Sequence, residues 1–235
     1  MNSWLGPVIV TGTDTGVGKT VVTAALAATA QKAGLSVAAL KPAQTGDDDD
    51  AAEIARLTGI HVQTLTSYPA PLAPLTAARV AQLPPLALHD VIQAVEELSE
   101  RHDLILIEGA GGLLVSLGES WTIADVAAKL HAPTVVVARA GLGTLNHTAL
   151  TQEALEARHI EHCVVIGSWP EQPELVHHMN LTDIGAVAGI VPAGASSLPP
   201  ATFQEAAPSW LGPQLHGIRA DTTKASGIRK DMLSG

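Results

Sequence analysis

The sequence predicts an α/β fold: a single domain in which a mostly parallel sheet carries helices on both faces. Apolar runs of strand length recur along the chain, and most are followed by a segment with helical periodicity, which is typical of a parallel sheet. Hydrophobic residues make up 46% of the chain, and most are aliphatic. The length of 235 residues suits one large α/β domain, although two small domains would also fit it.

Six segments have the length and composition of buried strands, and six show helical periodicity. The predicted strands are residues 8–11, 36–40, 104–107, 134–138, 164–167 and 184–187. The predicted helices are residues 21–33, 49–57, 88–101, 123–130, 145–157 and 171–179. The first helix is rich in Ala and stops at Gly34, a residue type that ends helices because it adopts a left-handed conformation without strain.

Two segments lack such periodicity. Residues 68–85 contain five prolines and are predicted to run irregularly over the surface, either as a plain connection, which we favour, or as a border of a substrate site. From residue 216 onward the chain is poor in core residues and mixes Gly, Ser, Thr, Lys and Arg. Residues 216–235 are therefore predicted to form a disordered tail after a domain that spans residues 1–215.

The charge balance limits the partners. The formal net charge of −10 repels nucleic acid and anionic lipid, so we expect neither as a partner, and any phosphate site must be local. The single cysteine, Cys163, cannot form an internal disulfide, which fits a reducing compartment. The first residues lack a basic segment followed by a long apolar one, and no stretch reaches the roughly 18 apolar residues that span a bilayer. The predicted location is the cytoplasm.

A glycine-rich loop follows the first strand and leads into the first helix. It reads Gly12-Thr13-Asp14-Thr15-Gly16-Val17-Gly18-Lys19-Thr20. Glycines let backbone N–H groups turn toward phosphate oxygens, and a helix N-terminus favours negative charge. Lys19 would neutralise the β and γ phosphates, and the Thr20 hydroxyl would ligate Mg²⁺. Five residues, not the usual four, separate Gly12 from Gly18. The Gly18-Lys19-Thr20 sequence at the end of the loop nevertheless predicts a phosphate-loop NTPase fold.

Polar residues follow the second and third strands, where ligands of open α/β sheets bind. Lys41 follows the second strand and could face the same phosphates. Residues 47–50 are four aspartates, which could be a solvated charge run or could supply one or two ligands to Mg²⁺. Glu108 follows the third strand and precedes glycines, where it could polarise a metal ion. With Lys19 and Thr20, these residues form a coherent phosphoryl-transfer set.

Four motifs together identify a family. They are the loop Gly12 to Thr20, Lys41-Pro42 with Thr45-Gly46, Glu108 to Gly112, and Gly141-Leu142-Gly143-Thr144-Leu145-Asn146-His147. In this order and at this spacing they resemble dethiobiotin synthetase, over about residues 8–207. The family's loop shares the longer spacing. The resemblance implies a homodimeric, Mg²⁺-dependent ligase that closes a cyclic urea on 7,8-diaminononanoate with CO₂ (from bicarbonate) and a nucleoside triphosphate, through a carbamate that accepts the γ-phosphoryl group.

The resemblance also implies residue roles. Lys41 and Lys19 would be catalytic. The expected Mg²⁺ ligands are Thr20, Asp50 and Glu108; Asp50 is preferred because the family's aspartate heads a helix, and Asp49 stays an alternative. The expected nucleotide site comprises Gly16, Val17, Gly18, Lys19, Thr20, Val21, Asp50, Glu108, Gly109, Ala110, Gly111, Gly167, Ser168, Pro192, Ala193 and Gly194. The expected diamine site comprises Thr15, Lys41, Thr45, Gly111 and, across the dimer interface, Thr144, Leu145 and Asn146.

One departure concerns the nucleotide base. Family members often carry an Asn-containing turn after the fifth strand that reads adenine, whereas this chain has Gly167-Ser168-Trp169-Pro170. We therefore expect ATP or another nucleoside triphosphate as cosubstrate, with pyrimidine and guanine nucleotides also serving.

Two rival classes were weighed against this interpretation. A corrinoid amidoligase would usually carry a glutamine-hydrolysing domain, for which no length remains. A partitioning or septum-positioning ATPase generally carries an extra lysine early in the loop, where this chain has Thr13, Asp14 and Thr15.

Overall fold

A computed structural model describes residues 3–220, and one sheet of seven parallel strands dominates it. The strands are β1 (Gly6–Gly12), β2 (Val37–Thr45), β3 (His61–Tyr68), β4 (Leu104–Gly112), β5 (Ser116–Gly118), β6 (Trp121–Thr122), β7 (Thr134–Ala138), β8 (His162–Trp169) and β9 (Gly189–Pro192). The large sheet has the order β3-β2-β4-β1-β7-β8-β9, and β5 and β6 form a separate antiparallel pair. The predicted α/β class with a parallel sheet is confirmed.

Helices cover both faces of the sheet. They are α1 (Lys19–Lys32), α2 (Asp50–Thr58), α3 (Pro74–Ala81), α4 (Leu88–Ser99), α5 (Ile123–Leu130), α6 (Thr144–Glu156), α7 (Leu175–Ile184) and α8 (Pro200–Ala206). Side chains of β1 alternate between the two faces: Val8 and Val10 pack with α1, α2 and α8, whereas Ile9 packs on the other side with α3 to α7. Two apolar layers thus enclose the sheet, as expected for strands buried on both faces.

The sheet opens at the carboxyl ends of its central strands. The pairing of β2 with β4 ends at Leu40 and Ile107, whereas β2 continues beside β3 as far as Thr45. Lys41 and Glu108 come directly after the last β2–β4 pair. Because their backbones no longer share a ladder, these two side chains can meet in the space between the strands.

Five of the six predicted strands are confirmed, and the prediction for residues 184–187 is wrong. Ile184 ends α7, Gly185 terminates this helix with φ of 84°, and the strand is Gly189–Pro192. Gly189 lies so close to the segment that follows α8 that a Cβ there would be 2.6 Å from Leu211 Cδ2. The predicted helix 171–179 is placed too early, because α7 begins only at Leu175, after Pro173, and ends at Ile184.

The proline-rich segment is more ordered than predicted. Its first residue, Tyr68, ends β3, and Pro74 begins α3, which is allowed because a proline in the first turn gives up no helical hydrogen bond. Strand β3 is an edge strand, half-buried along most of its length, so it lacks the apolar run by which the other strands were predicted. Helix α8 was missed for a related reason, since it is short and begins at Pro200.

The predicted tail lies mostly outside the described residues. Residues 216–219 do belong to the folded body: Ile218 N donates to Pro208 O at 2.9 Å and Arg219 N to Leu211 O at 2.9 Å. His216 Nε2 also lies 2.7 Å from Trp4 O. The expected boundary at residue 215 is therefore too early by at least these four residues. Across residues 3–220, no helix is long and apolar enough to cross a bilayer.

Candidate active site

The loop between β1 and α1 has the backbone geometry of an anion cradle. Gly16 and Gly18 have φ of 70° and 97°, a left-handed conformation that glycine adopts without strain. Gly18 precedes the first turn of α1, and no side chain caps that turn. The first N–H groups of the helix are therefore left for a ligand, and the helix dipole favours a negatively charged one.

The loop rests directly on the end of β8. A Cβ at Gly167 would lie 2.0 Å from Val17 O, and one at Gly18 would lie 2.7 Å from Gly167 O. Neither approach leaves room for a side chain. The backbone of Gly167 thus packs directly against the loop at Val17 and Gly18.

Lys19 folds back over this loop. Its Nζ donates to Asp14 O at 3.2 Å, and the residue is only 8% exposed. Burial, together with the nearby Lys41 ammonium, lowers the pKa of Lys19 despite the opposing effect of Glu108 and Asp50. An anion bound in the loop would relieve this cost, because it would supply the negative charge that the buried ammonium lacks.

Four predicted residues from four separate elements converge beside the loop. Lys41 Nζ lies 2.5 Å from Asp50 Oδ2 and 2.8 Å from Glu108 Oε1. Thr20 Oγ1 lies 2.8 Å from Asp50 Oδ1 and 3.1 Å from the same Glu108 oxygen. The lysine also donates to Gly109 O at 3.3 Å. The two carboxylates therefore share one ammonium and one hydroxyl.

Charge pairing governs the protonation of this cluster. Burial opposes the charge on Lys41, but the carboxylates of Glu108 and Asp50 outweigh it and raise the pKa of this lysine. Burial would likewise raise the pKa of Asp50, yet its contacts with Lys41 and Thr20 lower it below the usual value. Near neutral pH the lysine is a cation and Asp50 is an anion.

The structure distinguishes Asp50 from its neighbour. Asp49 caps α2, where its carboxylate accepts from Ala52 N at 2.8 Å, and it makes no contact with Lys41 or Thr20. Asp50 is the next residue, and its side chain points into the cluster. The geometry favours Asp50 over Asp49 as a metal ligand, because the Asp49 carboxylate is already engaged as the cap of α2.

The cluster opens into a cleft of about 730 Å³. Of the predicted site residues, those that line it are Thr15, Gly16, Gly18, Lys19, Thr20, Val21, Lys41, Thr45, Asp50, Glu108, Ala110 and Gly111. Lining residues that were not predicted are Ala43, Gln44, Asp48, Val115 and the segment 71–74. The proline-rich segment therefore borders the cleft, which is the alternative that the sequence analysis did not favour.

A smaller cavity of about 230 Å³ lies on the other side of the loop. Its lining includes the predicted residues Gly16, Val17, Ser168 and Ala193, and also Arg139, Ala140, Gly141, Pro170 and His177. The position and size of this cavity suit the base or sugar of a nucleotide whose phosphates occupy the loop. Pro192 and Gly194 line neither cavity.

Arg139 is a site residue that the sequence analysis missed. Its Nη2 donates to Asp14 Oδ2 at 2.8 Å and to Thr15 O at 3.0 Å, while Thr15 N donates to the other Asp14 oxygen at 2.7 Å. Arg139 directly follows β7, so the rule that ligands bind at the carboxyl ends of strands would have found it. His177 lies within α7 and offers no such signal.

The first residues of α6 contribute to neither cavity. Thr144 is buried, Leu145 and Asn146 are partly or fully exposed, and none of the three lines either cavity. Gly143 precedes the helix with φ of 89° and no side chain caps the first turn. Within one subunit these residues do not meet Lys41.

The donor set of the cluster fits Mg²⁺. Two carboxylates and one hydroxyl converge, and a cationic ammonium already bridges the carboxylates. No group of three or more His, Cys, Asp or Glu within residues 3–220 could hold a metal ion unaided. Mg²⁺ is commonly held by one or two carboxylates together with phosphate oxygens and water, so Thr20, Asp50 and Glu108 would complete its shell with a triphosphate in the loop.

The parallel sheet, the loop at the end of β1 and the uncapped start of α1 define a phosphate-loop nucleotide-binding protein. Residues 7–200 match the family described as an AAA domain. Among solved structures, the cell division ATPase MinD of Pyrococcus furiosus matches with a TM-score of 0.53 at 17% identity, covering 86% of this chain and 97% of that one. MinD of Aquifex aeolicus matches with a TM-score of 0.52 at 16% identity, covering 86% and 87%. At such identities the likeness concerns the fold alone.

Sequence relatives define the class more narrowly. An ATP-dependent dethiobiotin synthetase of Streptomyces avermitilis is 53% identical over 230 residues, which is 93% of this chain and 97% of that protein. One of Rhodococcus jostii is 55% identical over 216 residues, covering 86% and 93%. The chain belongs to the dethiobiotin synthetase family, and the resemblance found in its motifs is confirmed.

Proposed function

We propose that this chain is a dethiobiotin synthetase, a cyclo-ligase that forms carbon–nitrogen bonds. Its substrates are 7,8-diaminononanoate, CO₂ and a nucleoside triphosphate, and its product is the cyclic urea. The observation that carries the proposal is the buried Lys41 ammonium, which is held by two carboxylates at the edge of a cleft that the phosphate loop also lines.

Two lysines would stabilise the charge that develops in the reaction. One amine of the substrate attacks CO₂ to form a carbamate, and the Lys41 ammonium stabilises the carbamate oxygens and the phosphoryl group in transit. Lys19 and the loop N–H groups hold the departing phosphates. A carbamate oxygen attacks the γ-phosphorus and expels the nucleoside diphosphate. The second amine then displaces phosphate from the phosphorylated carbamate and closes the ring. Thr20, Asp50 and Glu108 would hold Mg²⁺, which would neutralise part of the charge of the triphosphate.

The diamine would lie in the cleft beside Lys41. Thr15, Thr45 and Gly111 line this space; the two threonine hydroxyls suit the amines, and the glycine leaves room for them. The segment 71–74 lines the same cleft. A substrate with a long alkyl chain and a terminal carboxylate would extend out of this cleft toward a second recognition site.

We further propose that a homodimer supplies that second site. No side chain caps the first turn of α6. Thr144 N donates to Gly141 O at 3.4 Å, so the N–H groups of Leu145 and Asn146 would be offered to a carboxylate. Leu142 and Leu150 near this turn are 89% and 56% exposed, which suits burial against another copy of the chain. Each active site would then need both subunits.

Mixing two inactive variants tests the shared site. Lys41→Ala and Asn146→Asp homodimers should both be inactive. If subunits of an equal mixture exchange randomly, half of the dimers are mixed, and each mixed dimer regains one intact site of its two. The mixture should therefore show about a quarter of the wild-type activity per chain. No recovery in a mixture that native mass spectrometry shows to contain mixed dimers would contradict the shared site.

The overall reaction is tested directly. The protein is incubated with 7,8-diaminononanoate, ¹³C-bicarbonate, Mg²⁺ and ATP, and the product is identified by mass spectrometry. We expect a cyclic urea carrying the label and one phosphate per ring closed. Lys32→Ala, which changes a lysine on the far end of α1, is the matched control for Lys41→Ala. Absence of labelled product with the wild-type protein would refute the proposed activity.

The cosubstrate is proposed to extend beyond ATP. The cavity beside the loop presents the Ser168 side chain, Pro170 and Ala193, without an asparagine amide to select adenine. Steady-state rates with ATP, GTP, CTP and UTP at equal concentrations test this, and turnover with ATP alone would contradict it. The reaction is proposed to take place in the cytoplasm.

A further inference from the structure

A threonine outside the predicted site contacts the proposed metal ligand. Thr23 lies one turn after Lys19 in α1 and is 0% exposed. Its Oγ1 lies 2.9 Å from Glu108 Oε2 and 3.0 Å from Lys19 O. The phosphate-loop motif ends at Thr20, so no motif includes this residue.

The contact divides the Glu108 carboxylate into two halves. Oε1 faces the cluster, where Lys41 Nζ lies at 2.8 Å and Thr20 Oγ1 at 3.1 Å. Oε2 faces the other way, toward Thr23. Because Glu108 is only 1% exposed, water has little access to Oε2, and the Thr23 hydroxyl satisfies it instead.

The threonine hydroxyl has one proton and two acceptors within reach. The carbonyl of Lys19 is a neutral acceptor one helical turn away, whereas the carboxylate is charged and forms the stronger hydrogen bond. Helix α1 packs rigidly against the sheet through Val22, Ala24 and Leu26. The hydroxyl is therefore held at a fixed place relative to β4, the strand that carries Glu108.

We propose that Thr23 is a positioning residue for cation binding. It holds Oε2 of Glu108, so that Oε1 alone is presented to the cation and to Lys41. The inference rests on the proposed role of Glu108 as a cation ligand. Partners of this kind orient ligands that bind metals directly, and their loss typically weakens metal affinity about 10–100-fold.

The test uses substitutions of closely matched size. Thr23→Val keeps the shape but removes the donor, and Thr23→Ser keeps the donor. Thr29→Val is the control, because Thr29 is a buried threonine of the same helix whose hydroxyl has no hydrogen-bond partner among the described residues. Mn²⁺ binding to each full-length variant is measured by the electron paramagnetic resonance signal of free Mn²⁺, with and without a non-hydrolysable triphosphate.

We expect Thr23→Val to raise the Mn²⁺ dissociation constant about 10-fold or more, and Thr23→Ser and Thr29→Val to stay within about threefold of wild type. In steady state, Thr23→Val should raise the Mg²⁺ concentration for half-maximal activity by a similar factor. Its kcat at saturating Mg²⁺ should fall by a smaller factor, because the bound cation itself then holds Glu108. Mn²⁺ affinity of Thr23→Val equal to that of Thr29→Val would overturn the inference.

Glu108→Gln separates this inference from the proposed function. If Glu108→Gln weakens Mn²⁺ binding and Thr23→Val does not, Thr23 has no positioning role, while the proposed function stands. If Glu108→Gln leaves Mn²⁺ binding unchanged, Glu108 is not a cation ligand, and both the metal assignment and the role of Thr23 are refuted. Should Thr23→Val fail to fold, the inference is decided by Thr23→Ala in the same assay, with the same expected loss.

Discussion

Replacing Lys41 with methionine tests the charge balance of the active site in the free protein. Lys41→Met keeps most of the apolar stem of the side chain but removes the ammonium. The carboxylates of Asp50 and Glu108 then face each other without the cation that bridges them. Burial of Glu108, with 1% of its side chain exposed, denies it compensating water, whereas Asp50 at 28% retains some.

The size of the effect follows from this burial. Removing one partner of a buried ion pair typically costs about 3–5 kcal/mol. Partial exposure of Asp50, and proton uptake by one carboxylate, should place this case near the lower end, at about 3 kcal/mol. For a domain of this size, 1 kcal/mol corresponds to about 2–4 °C. The melting temperature of Lys41→Met without metal should therefore fall by about 6–12 °C.

Magnesium should reverse much of this loss, because it can take the place of the missing ammonium. At a Mg²⁺ concentration of about 100 times its dissociation constant, ligand binding stabilises the native state by about 2.7 kcal/mol. The assay is thermal unfolding by differential scanning fluorimetry, with EDTA or with Mg²⁺, and Lys32→Met serves as control. A Lys41→Met protein that melts like wild type in EDTA, or that gains no more from Mg²⁺ than Lys32→Met does, would refute the reasoning.

Turnover should respond differently from nucleotide binding. Lys41→Met leaves the loop and Lys19 intact, so triphosphate affinity measured by calorimetry should stay within a few-fold of wild type. Loss of a group that stabilises developing negative charge typically lowers kcat about 10²–10³-fold. An unchanged rate would remove Lys41 from the mechanism.

Three further predictions concern two residues of the site and one residue at the opposite edge of the sheet. Gly167→Ala should weaken triphosphate binding at least about tenfold by calorimetry, since a Cβ would lie 2.0 Å from a carbonyl oxygen of the loop and must displace it; unchanged affinity would contradict the close packing. Arg139→Ala should raise the KM for the triphosphate about 3–10-fold with little effect on stability, because its pair with Asp14 is half exposed and such pairs contribute only about 0–1 kcal/mol; Arg139→Lys should restore the KM only in part. In the wild type, hydrogen bonds from the Ser36 hydroxyl and backbone lower the pKa of Asp103. Ser36→Ala removes the hydroxyl and should therefore raise this pKa. The stability that the hydroxyl contributes is present above the ordinary pKa of 3.8 and is lost as the pH falls through the lowered pKa. An NMR titration in which Asp103 has the same midpoint in the wild type and in Ser36→Ala would contradict this prediction.

The phosphate loop and most of the helices could be predicted because their signals are local. A glycine that must turn left-handed, a lysine one residue later and a helix start all lie within one short stretch of chain. Lys41 and Glu108 could be predicted as well, because each follows a strand and ligands of parallel sheets bind where the carboxyl ends of the strands meet. Strand β3 and helix α3 escaped because an edge strand is only half-buried and a proline can begin a helix.

By itself, the sequence determined the class of the fold, the phosphate loop and the membership of the family. Only the tertiary structure decided that Asp50 joins the cluster while Asp49 caps a helix, that residues 71–74 border the cleft, and that Thr23 contacts Glu108 across 85 positions of the chain. The physical reason is that backbone propensity and helix capping act between near neighbours. A buried carboxylate, in contrast, takes its hydrogen-bond donors from whatever residues the packing of helix on sheet brings beside it.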